Sequence, residues 1–321
     1  MTRTYKLHLW HDALTPISQA KGVEGNESLI NRQAVETPAG VRNVPVISGN
    51  ALRHCAVRGP GSRFLIDALG LAGRLSLMQL NFLQHGGNLT ESNAREDTRR
   101  IAEMQELFPL LRLLGGSLPD QILAGSLRAD FGHLACDENL GRMAAALPPG
   151  FAAALPPGAL KPAEHYVSGT QYTRGDAGRD ASLYDPATRD AGAKSNLMIM
   201  GGECVIPGAA FWSVYVLARA TEVEYGCLLH AIGLWQEQGG TVGGMASKGH
   251  GRLATSLLGG DAGEIAAAVA TYLAHVAASK DACVGWLARA FAKKADKPAK
   301  AAKGKKAAAA VLSDGEADDV G

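Results

Sequence analysis

The sequence predicts an α+β protein whose elements follow the order strand, helix, strand, strand, helix, strand. Three observations lead to this fold class: alternating apolar residues near the N-terminus, two long segments with helix-capping signals, and apolar strand-like segments in the C-terminal half. With 321 residues, 46% of them hydrophobic, the chain is long enough for one large domain or two smaller ones.

The N-terminal part is predicted to contain one strand, one long loop and one helix. Tyr5, Leu7 and Leu9 alternate with less apolar residues, which is typical of a strand running to about Leu14. Residues 15–45 are polar and have no clear period, which predicts a long functional loop. Ser48 is predicted to cap a helix that reaches Leu71. Its inward-facing residues would be Leu52, Cys55, Ala56, Leu65 and Leu69.

The middle of the chain is less regular. Residues 75–114 have a helical pattern with a polar centre, which predicts an inserted helical pair or subdomain. An irregular region follows as far as Lys161. From Glu164 to Asn196 the chain is rich in glycine and aspartate, and apolar strand-like segments flank it. This predicts a projecting hairpin or a mobile loop rather than a linker.

The C-terminal half is predicted to supply the remaining elements. Two strands surround the Pro207-Gly208 turn. Thr221 and Glu224 have the spacing of a capping box, so a helix should start there and end at Gly239-Gly240. A last strand, an alanine-rich helix over 264–292 and a disordered low-complexity tail complete the chain.

This order is βαββαβ, the ferredoxin-like or RNA-recognition-motif topology, with large excursions between the elements. The sequence divides into a first part of that unit with its helix, a helical insertion with an irregular region, a hairpin, a second part of the unit with a glycine-rich loop and the last helix, and a tail. Their bounds are 1–74, 75–163, 164–196, 197–292 and 293–321.

Charge and cysteine content restrict the possible functions. The formal net charge is +1, and removing the tail leaves 25 basic and 26 acidic residues, a net charge of −1. A polyanion site must therefore be a local groove. The five cysteines have no Cys-x-x-Cys spacing, which favours buried free thiols in a reducing compartment. With no signal-peptide or membrane-length apolar segment, we expect a cytoplasmic protein without membrane contact.

The stretch GGTVGGMASKGHGRL, residues 239–253, contains six glycines. It does not fit a phosphate-binding Walker loop, because Lys248 precedes Gly249, nor a Rossmann turn, because a helix precedes the run. In an extended chain Lys248, His250 and Arg252 would share one side, and bare glycine amides beside them would suit a polyanion backbone. An ordinary helix-to-strand connector is the alternative.

A second set of polar residues lies near the start of the first helix: Asn50, Arg53, His54 and Arg58. Free amide donors at a helix start favour anions, although a solvated helix face would look the same. Glu24 and Glu27 could serve a metal-dependent nuclease, but a solvated loop is the simpler interpretation. His133, Cys136 and Asp137 lack a second ligand pair, so no metal site and no cofactor are predicted.

Three motifs together resemble the CRISPR-associated RAMP superfamily. VPVISGNALRHCAVR (44–58) is similar to its signature helix, GGTVGGMASKGHGRL to its glycine-rich loop, and ECVIPGAAFWSVYVL to the hairpin before its second helix. Within the superfamily the sequence looks most like the guide-RNA-binding backbone subunit (Cas seven family), in its type IV form. The resemblance spans roughly residues 1–258.

The resemblance implies a ferredoxin-like palm, an inserted helical region and an extended thumb hairpin over 164–196. The implied partners are guide RNA (crRNA), head-to-tail copies of the chain, other CRISPR effector subunits, and a target nucleic acid, with DNA favoured, reached through the guide. The RNA-binding residues that we expect are Lys21, Arg32, Arg42, Asn50, Arg53, His54, Arg58, Tyr172, Arg174, Arg179, Lys248, Gly249, His250 and Arg252.

We expect no catalysis. Related type III subunits cut target RNA with an aspartate in the first long loop, whereas Glu27, one methylene longer, is nearest to that position here. One rival hypothesis is an endoribonuclease of the same superfamily, for which His54 would be the candidate general base. The other is a structural, self-assembling protein that binds no nucleic acid.

Overall fold

A computed structural model describes residues 2–24, 27–89, 97–156, 158–174 and 198–292. The strands within these ranges are β1 (Arg3–Ala13), β2 (Ala20–Glu24), β3 (Glu27–Ile30), β4 (Arg32–Thr37), β5 (Gly40–Ile47), β6 (Gly116–Leu118), β7 (Gln121–Leu123), β8 (Leu127–Ala129), β9 (Gly132–Leu134), β10 (Val167–Arg174), β11 (Met198–Val205), β12 (Ala210–Ala220) and β13 (Leu253–Leu257).

The helices are α1 (Gly49–Leu52), α2 (Gly59–Ala68), α3 (Leu77–His85), α4 (Thr98–Leu107), α5 (Pro109–Leu114), α6 (Leu140–Ala146), α7 (Glu222–Glu237) and α8 (Ala262–Ala290). A π-helical segment (Arg53–Arg58) joins α1 to α2. The predicted α+β fold class is confirmed. The predicted disordered tail, 293–321, lies outside the described residues.

The central sheet has the strand order β13-β1-β12-β9-β5-β4, and β8 also pairs with β12. Strand β1 lies between β12 and β13 and is antiparallel to both. Its buried residues alternate as predicted, with Tyr5, Leu7 and Leu9 facing the core. Helices α2 and α7 contribute Leu65 and Leu228 to the same core. The predicted first strand, the two main helices and the last strand are all present.

One strand of the predicted unit is placed differently. The sequence predicts that the segments on either side of Pro207-Gly208 both belong to the ferredoxin-like sheet, but only β12 does. Strand β11 pairs with β10 and β3 in a second sheet, of order β10-β11-β3-β2. Its expected position beside β12 is taken by β8 and β9, which come from the region interpreted as irregular. These strands have three residues each, too short to produce a recognisable hydrophobic period.

The expectation of a long loop over 15–45 is wrong. This stretch forms two antiparallel pairs, β2–β3 and β4–β5. Thr37 and Gly40 face each other across the second pair, and Gly40 has a φ of 95°. The strands escape detection because most of their side chains are exposed or half-buried, so no apolar alternation marks them.

The helix after β5 begins as predicted. The Ser48 side chain accepts a hydrogen bond from the Ala51 amide, which caps α1. Of the predicted inward-facing residues, Leu52, Ala56, Leu65 and Leu69 are buried and Cys55 is half-buried. Between α1 and α2 the helix widens, since the Gly59 amide donates to the His54 carbonyl five residues earlier. Such π segments are rare and often lie at functional sites.

Helices α7 and α8 pack closely together. Thr221 and Glu224 form the predicted capping box at the start of α7. At Gly226 the α8 backbone comes so close that an added Cβ would overlap the Ala268 carbonyl. A glycine is therefore required at this helix crossing.

Residues 75–163 contain the helices α3, α4 and α5, where the sequence has a helical pattern, and also the strands β6–β9 and helix α6. Helix α6 helps to cover the second face of the central sheet, where Met143 and Leu147 pack with Trp212. The cysteines are free, and all except Cys55 are buried.

Strands β10 and β11 form a continuous antiparallel ladder from Val167–Val205 to Arg174–Met198. They are the two sides of a hairpin, and the predicted thumb region between them, residues 175–196, lies outside the described residues. Among the helices of the described ranges, none combines the length and the apolarity needed to cross a membrane.

The buried side chain of His11 should make the free energy of unfolding depend on pH. It is buried on β1, between β12 and β13, and shares hydrogen bonds with Thr255 Oγ1 (2.7 Å) and Ser213 Oγ (2.9 Å), and burial lowers its pKa to about 3. Between pH 6.5, near the unfolded pKa, and about 3, the unfolded chain binds one more proton at this residue than the folded chain. The free energy of unfolding should thus fall with decreasing pH, by about 1.4 kcal/mol per unit from this group.

Urea unfolding between pH 7 and about pH 4.5 measures this slope. His11→Gln should flatten it, whereas the matched substitution at exposed His165 should not. Equal slopes in the His11→Gln variant and the unmodified chain would contradict the assignment.

Candidate nucleic-acid interface

The glycine-rich stretch folds as a closed loop between α7 and β13, which we call the glycine loop (residues 239–252). Its two sides are joined by hydrogen bonds from the Val242 amide to the Gly251 carbonyl (2.8 Å) and from the Leu253 amide to the Gly240 carbonyl (3.0 Å). Residues Ala246–Lys248 form a single 3-10 turn at its tip. The loop is therefore a folded connector with a defined shape.

Backbone conformation explains why this loop is rich in glycine. Positive φ angles between 61° and 98° occur at Gly239, Gly240, Gly243, Gly249 and Gly251. Such angles are unfavourable for other residues. In addition, an added Cβ at Gly243 would lie 2.6 Å from the Ser18 carbonyl oxygen, and one at Gly251 would overlap the Val242 carbonyl.

The glycine amides are also used within the protein. Those of the following residues donate to backbone carbonyls: Gly239, Gly240, Gly244, Gly249 and Gly251. The amide of Gly243 faces the Cys55 thiol, whose pKa is raised by burial and lowered in part by this amide. The expectation that bare glycine amides form a cradle for RNA phosphates is thus wrong for these amides.

The loop is held against the segment that follows β1. The Gly251 amide donates to the Pro16 carbonyl and the Gly244 amide to the Ser18 carbonyl, both at 2.8 Å. The Ser18 hydroxyl also shares a hydrogen bond with His250 Nδ1 at 2.9 Å. The loop's contact with the signature helix is the Gly243 amide, which faces Cys55.

Lys248 connects the loop to the second sheet, β10-β11-β3-β2, which we call the hairpin sheet. Its ammonium nitrogen lies 3.0 Å from the centroid of the Tyr172 ring on β10, a cation–π contact. Lys248 is exposed, and so is Arg252. The expected extended row of three cations is not formed, because the 3-10 turn and the positive φ angles of Gly249 and Gly251 bend the chain between them. Two of its members instead meet different elements, Tyr172 and Ser18.

The signature helix contributes fewer surface groups than expected. Asn50 is exposed in the first turn, but Arg58 is buried, and its Nη2 donates to the Gly115 carbonyl at 3.1 Å and to that of Leu114 at 3.5 Å. Arg53 also donates to Leu114. Burial lowers the pKa of Arg58 to about 10 and also lowers that of Arg53.

These two arginines cap the C-terminal end of α5, whose last carbonyls lack helical partners. Their prediction as phosphate ligands is corrected for Arg58, which has no surface to offer in this structure. Arg53 is half-buried and engaged in the same cap.

His54 is exposed at the π-helical segment and faces a histidine that the sequence did not suggest. Its ring lies parallel to that of His85 at the end of α3, with an interplanar angle of 14° and centroids 6.0 Å apart. Partial burial lowers the pKa of His54, and the neighbouring His85 and Arg58 lower it further.

The predicted residues of the first loop and the hairpin are dispersed. Lys21 and Arg42 are exposed on β2 and β5. Arg32 binds Glu203 of β11 with both guanidinium nitrogens, at 2.7 and 2.8 Å, which lowers the pKa of that carboxyl. The Arg174 side chain and all of Arg179 lie outside what the structure describes.

Across the β2–β3 pair Glu24, whose side chain the structure does not describe, is the register partner of Glu27. Glu27 lies on β3 in a shallow pocket together with Glu203, which is already bound to Arg32. His133 is buried with its Nε2 3.2 Å from Asp130, and burial raises the pKa of Cys136 to about 12. In the part of the chain that the structure describes, no three His, Cys, Asp or Glu side chains are grouped as metal ligands would be.

The sequence also missed a polar pocket beside the glycine loop. His54, Arg63, Gln84, His85 and Gln238 contribute to its lining. They come from the π-helical segment, from α2 and from the ends of α3 and α7. No local pattern marks such a group, since only tertiary packing brings these elements together.

The fold is similar to that of a chain in a solved structure. A solved structure titled "Type IV-B CRISPR Complex" contains a chain that matches 80% of this chain and 93% of its own length, with a TM-score of 0.50 and 15% sequence identity. The two chains share a fold. At this identity the likeness extends to the fold alone, and it agrees with the resemblance of the sequence motifs. No family model and no curated protein matches this chain.

Two glycine substitutions test whether close backbone packing fixes the shape of the glycine loop. Gly249→Ala places a side chain in open space at a φ of 84°, which should lower the free energy of unfolding by about 1–2 kcal/mol. Gly251→Ala, at a φ of 92°, should lower it more, because the new methyl also overlaps the Val242 carbonyl. Urea unfolding of both variants measures the difference. Equal losses would mean that the loop relaxes freely around residue 251.

Proposed function

We propose that this protein is a non-catalytic backbone subunit of a type IV-like CRISPR ribonucleoprotein complex, located in the cytoplasm. Copies of the chain would assemble head to tail along guide RNA and support pairing of the guide with a target, with DNA favoured. The observation that carries the proposal is the fold shared with a chain of a type IV-B CRISPR complex. The three sequence motifs support it independently.

The surface around Lys248 is the proposed RNA contact. Lys248 and Arg252 are exposed cations, and Tyr172 offers an aromatic ring at the same place. A cation next to an aromatic face suits a nucleic-acid strand, because the ammonium can bind phosphate and, when it leaves the ring for a phosphate, the freed face can stack with a base. Asn50 and His54, exposed on the signature helix, are further candidate contacts.

RNA-dependent assembly tests the proposal. A head-to-tail interface that does not close into a ring produces open oligomers. We expect the purified chain to carry RNA and to form particles that shrink after nuclease treatment, as measured by light scattering. Particles whose size is independent of RNA would instead support the self-assembling structural protein.

A backbone subunit must accept any guide sequence, so its cations should bind phosphates without reading bases. Alanine at both Lys248 and Arg252 should weaken binding about equally for two unrelated RNAs, and should reduce the salt slope by roughly 0.7 per lost contact. Binding isotherms at several salt concentrations measure both effects.

Exposed Lys280 on α8, beside Gly70, provides the matched control. Lys280→Ala should leave the affinity and the slope nearly unchanged. A double variant that loses one RNA but keeps the other would point to base recognition and contradict the phosphate-binding role.

Lack of catalysis is part of the proposal. Glu27 lies in a pocket whose second carboxylate, Glu203, is held by Arg32, so the pair is poorly suited to bind a catalytic metal. Glu27→Ala should leave target binding by the assembled complex unchanged, and neither form should cut labelled RNA in the presence of Mg²⁺. Metal-dependent cleavage that disappears in the variant would identify the chain as an endoribonuclease.

A further inference from the structure

The polar pocket beside the glycine loop has the size and chemistry of a ligand site. Its volume is about 400 Å³, which lies within the usual range for small-molecule pockets. The residues that determine its character are His54, Arg63, Gln84, His85, Trp235 and Gln238. Of these only His54 belongs to the expected RNA-binding set. We call it the double-histidine pocket.

Its charge favours an anion. Arg63 is exposed and has no ion-pair partner among the described residues, and no carboxylate lines the pocket. The buried Arg58 adds positive charge, since it lowers the pKa of His54. By contrast, the larger cleft of about 550 Å³ between β1, α7 and α8 is lined by two carboxylates, Glu222 and Glu264, against one cation, Arg3, so its net negative charge disfavours a phosphate.

The remaining groups suit a planar, hydrogen-bonding partner. Trp235 Nε1 donates to the Thr241 carbonyl at 2.9 Å, which fixes the indole ring in the wall. The carboxamides of Gln84 and Gln238 have no hydrogen-bond partner among the described residues, and each carries both donors and an acceptor. Imidazole faces, as at His54 and His85, can stack with a base.

We propose that the double-histidine pocket binds one nucleotide unit, with its phosphate on Arg63 and its base against the aromatic wall and the two carboxamides. The unit can come from two sources, a free nucleotide or one residue of a bound RNA strand. In the second case the inference rests on the RNA-binding function proposed above.

Gly59 allows the pocket to be filled without disturbing the helix. It lines the pocket, has helical angles (φ −57°, ψ −61°), and an added Cβ would meet only the His54 carbonyl oxygen, at 3.4 Å. Gly59→Leu should therefore fold and block the pocket. Gly233 on α7 is exposed, has open space around it and does not line the pocket, so Gly233→Leu is the matched control.

The experiment uses the full chain freed of RNA, with adenosine 5′-monophosphate, adenosine and inorganic phosphate as separate titrants in calorimetry. The monophosphate should bind more tightly than either part. Gly59→Leu should weaken it at least about tenfold, and Gly233→Leu should have no effect. Arg63→Gln should weaken binding of the monophosphate but not of adenosine, whereas Arg99→Gln, at an exposed arginine of α4, should change neither.

The same variants are then titrated with a short oligoribonucleotide to separate the two sources. If Gly59→Leu loses affinity for RNA and Gly233→Leu does not, the bound unit is part of an RNA strand. If the chain does not bind RNA but binds the monophosphate, and Gly59→Leu abolishes that binding, the pocket proposal is supported. The proposed RNA-binding function then fails. If Gly59→Leu and Gly233→Leu, both folded by circular dichroism, bind monophosphate and RNA alike, the pocket proposal is overturned.

Discussion

The structure depends on the backbone of one short segment, residues 13–19, which joins three parts of the molecule. Its hydrogen bonds reach the central sheet, the hairpin sheet and the glycine loop at once. The backbone pairs are Ala13–Ala209, Leu14–Arg252, Pro16–Gly251, Ile17–Val205, Ser18–Gly244 and Gln19–Asn31. Because Ile17 both donates to and accepts from Val205, at 2.8 and 2.9 Å, it pins the start of the hairpin sheet to the end of β1. The position of Tyr172 relative to Lys248 follows from this junction.

Several polar groups that the sequence suggests for ligand binding form hydrogen bonds within the protein instead. Arg58 and Arg53 supply donors to the end of α5, which would otherwise bury carbonyls without partners. Arg32 neutralises Glu203, and most glycine amides of the loop bond to protein carbonyls. The groups left for a ligand are the exposed ones, among them Lys248, Arg252 and Arg63. Accessibility, which the sequence cannot supply, thus separates architectural cations from those that can meet an anion.

The elements predicted correctly are those whose signals are local. Ser48, the Thr221–Glu224 capping box and the alternation of β1 depend on neighbouring residues only. The strands β2–β5, β8 and β9 were missed because they are short or exposed, and the position of β11 because strand partners are chosen at long range. The fold class could be predicted, and Lys248 and Tyr172 could be named separately, without the contact between them. The double-histidine pocket could not, since His54 and His85 come from separate elements.

The widened helix between α1 and α2 has a consequence for how this protein can vary. A π segment amounts to one extra residue in an α-helix. The widened turn absorbs that residue, so deleting one residue between Arg53 and Arg58 would close the segment into regular α-helix and leave α1 and α2 in nearly their present relation. Asn50 and Arg63 would keep their positions around the helix axis, whereas a deletion within α2 would rotate the residues before it by about 100° relative to those after it. Loss of a single codon should therefore be better tolerated in this stretch than in α2.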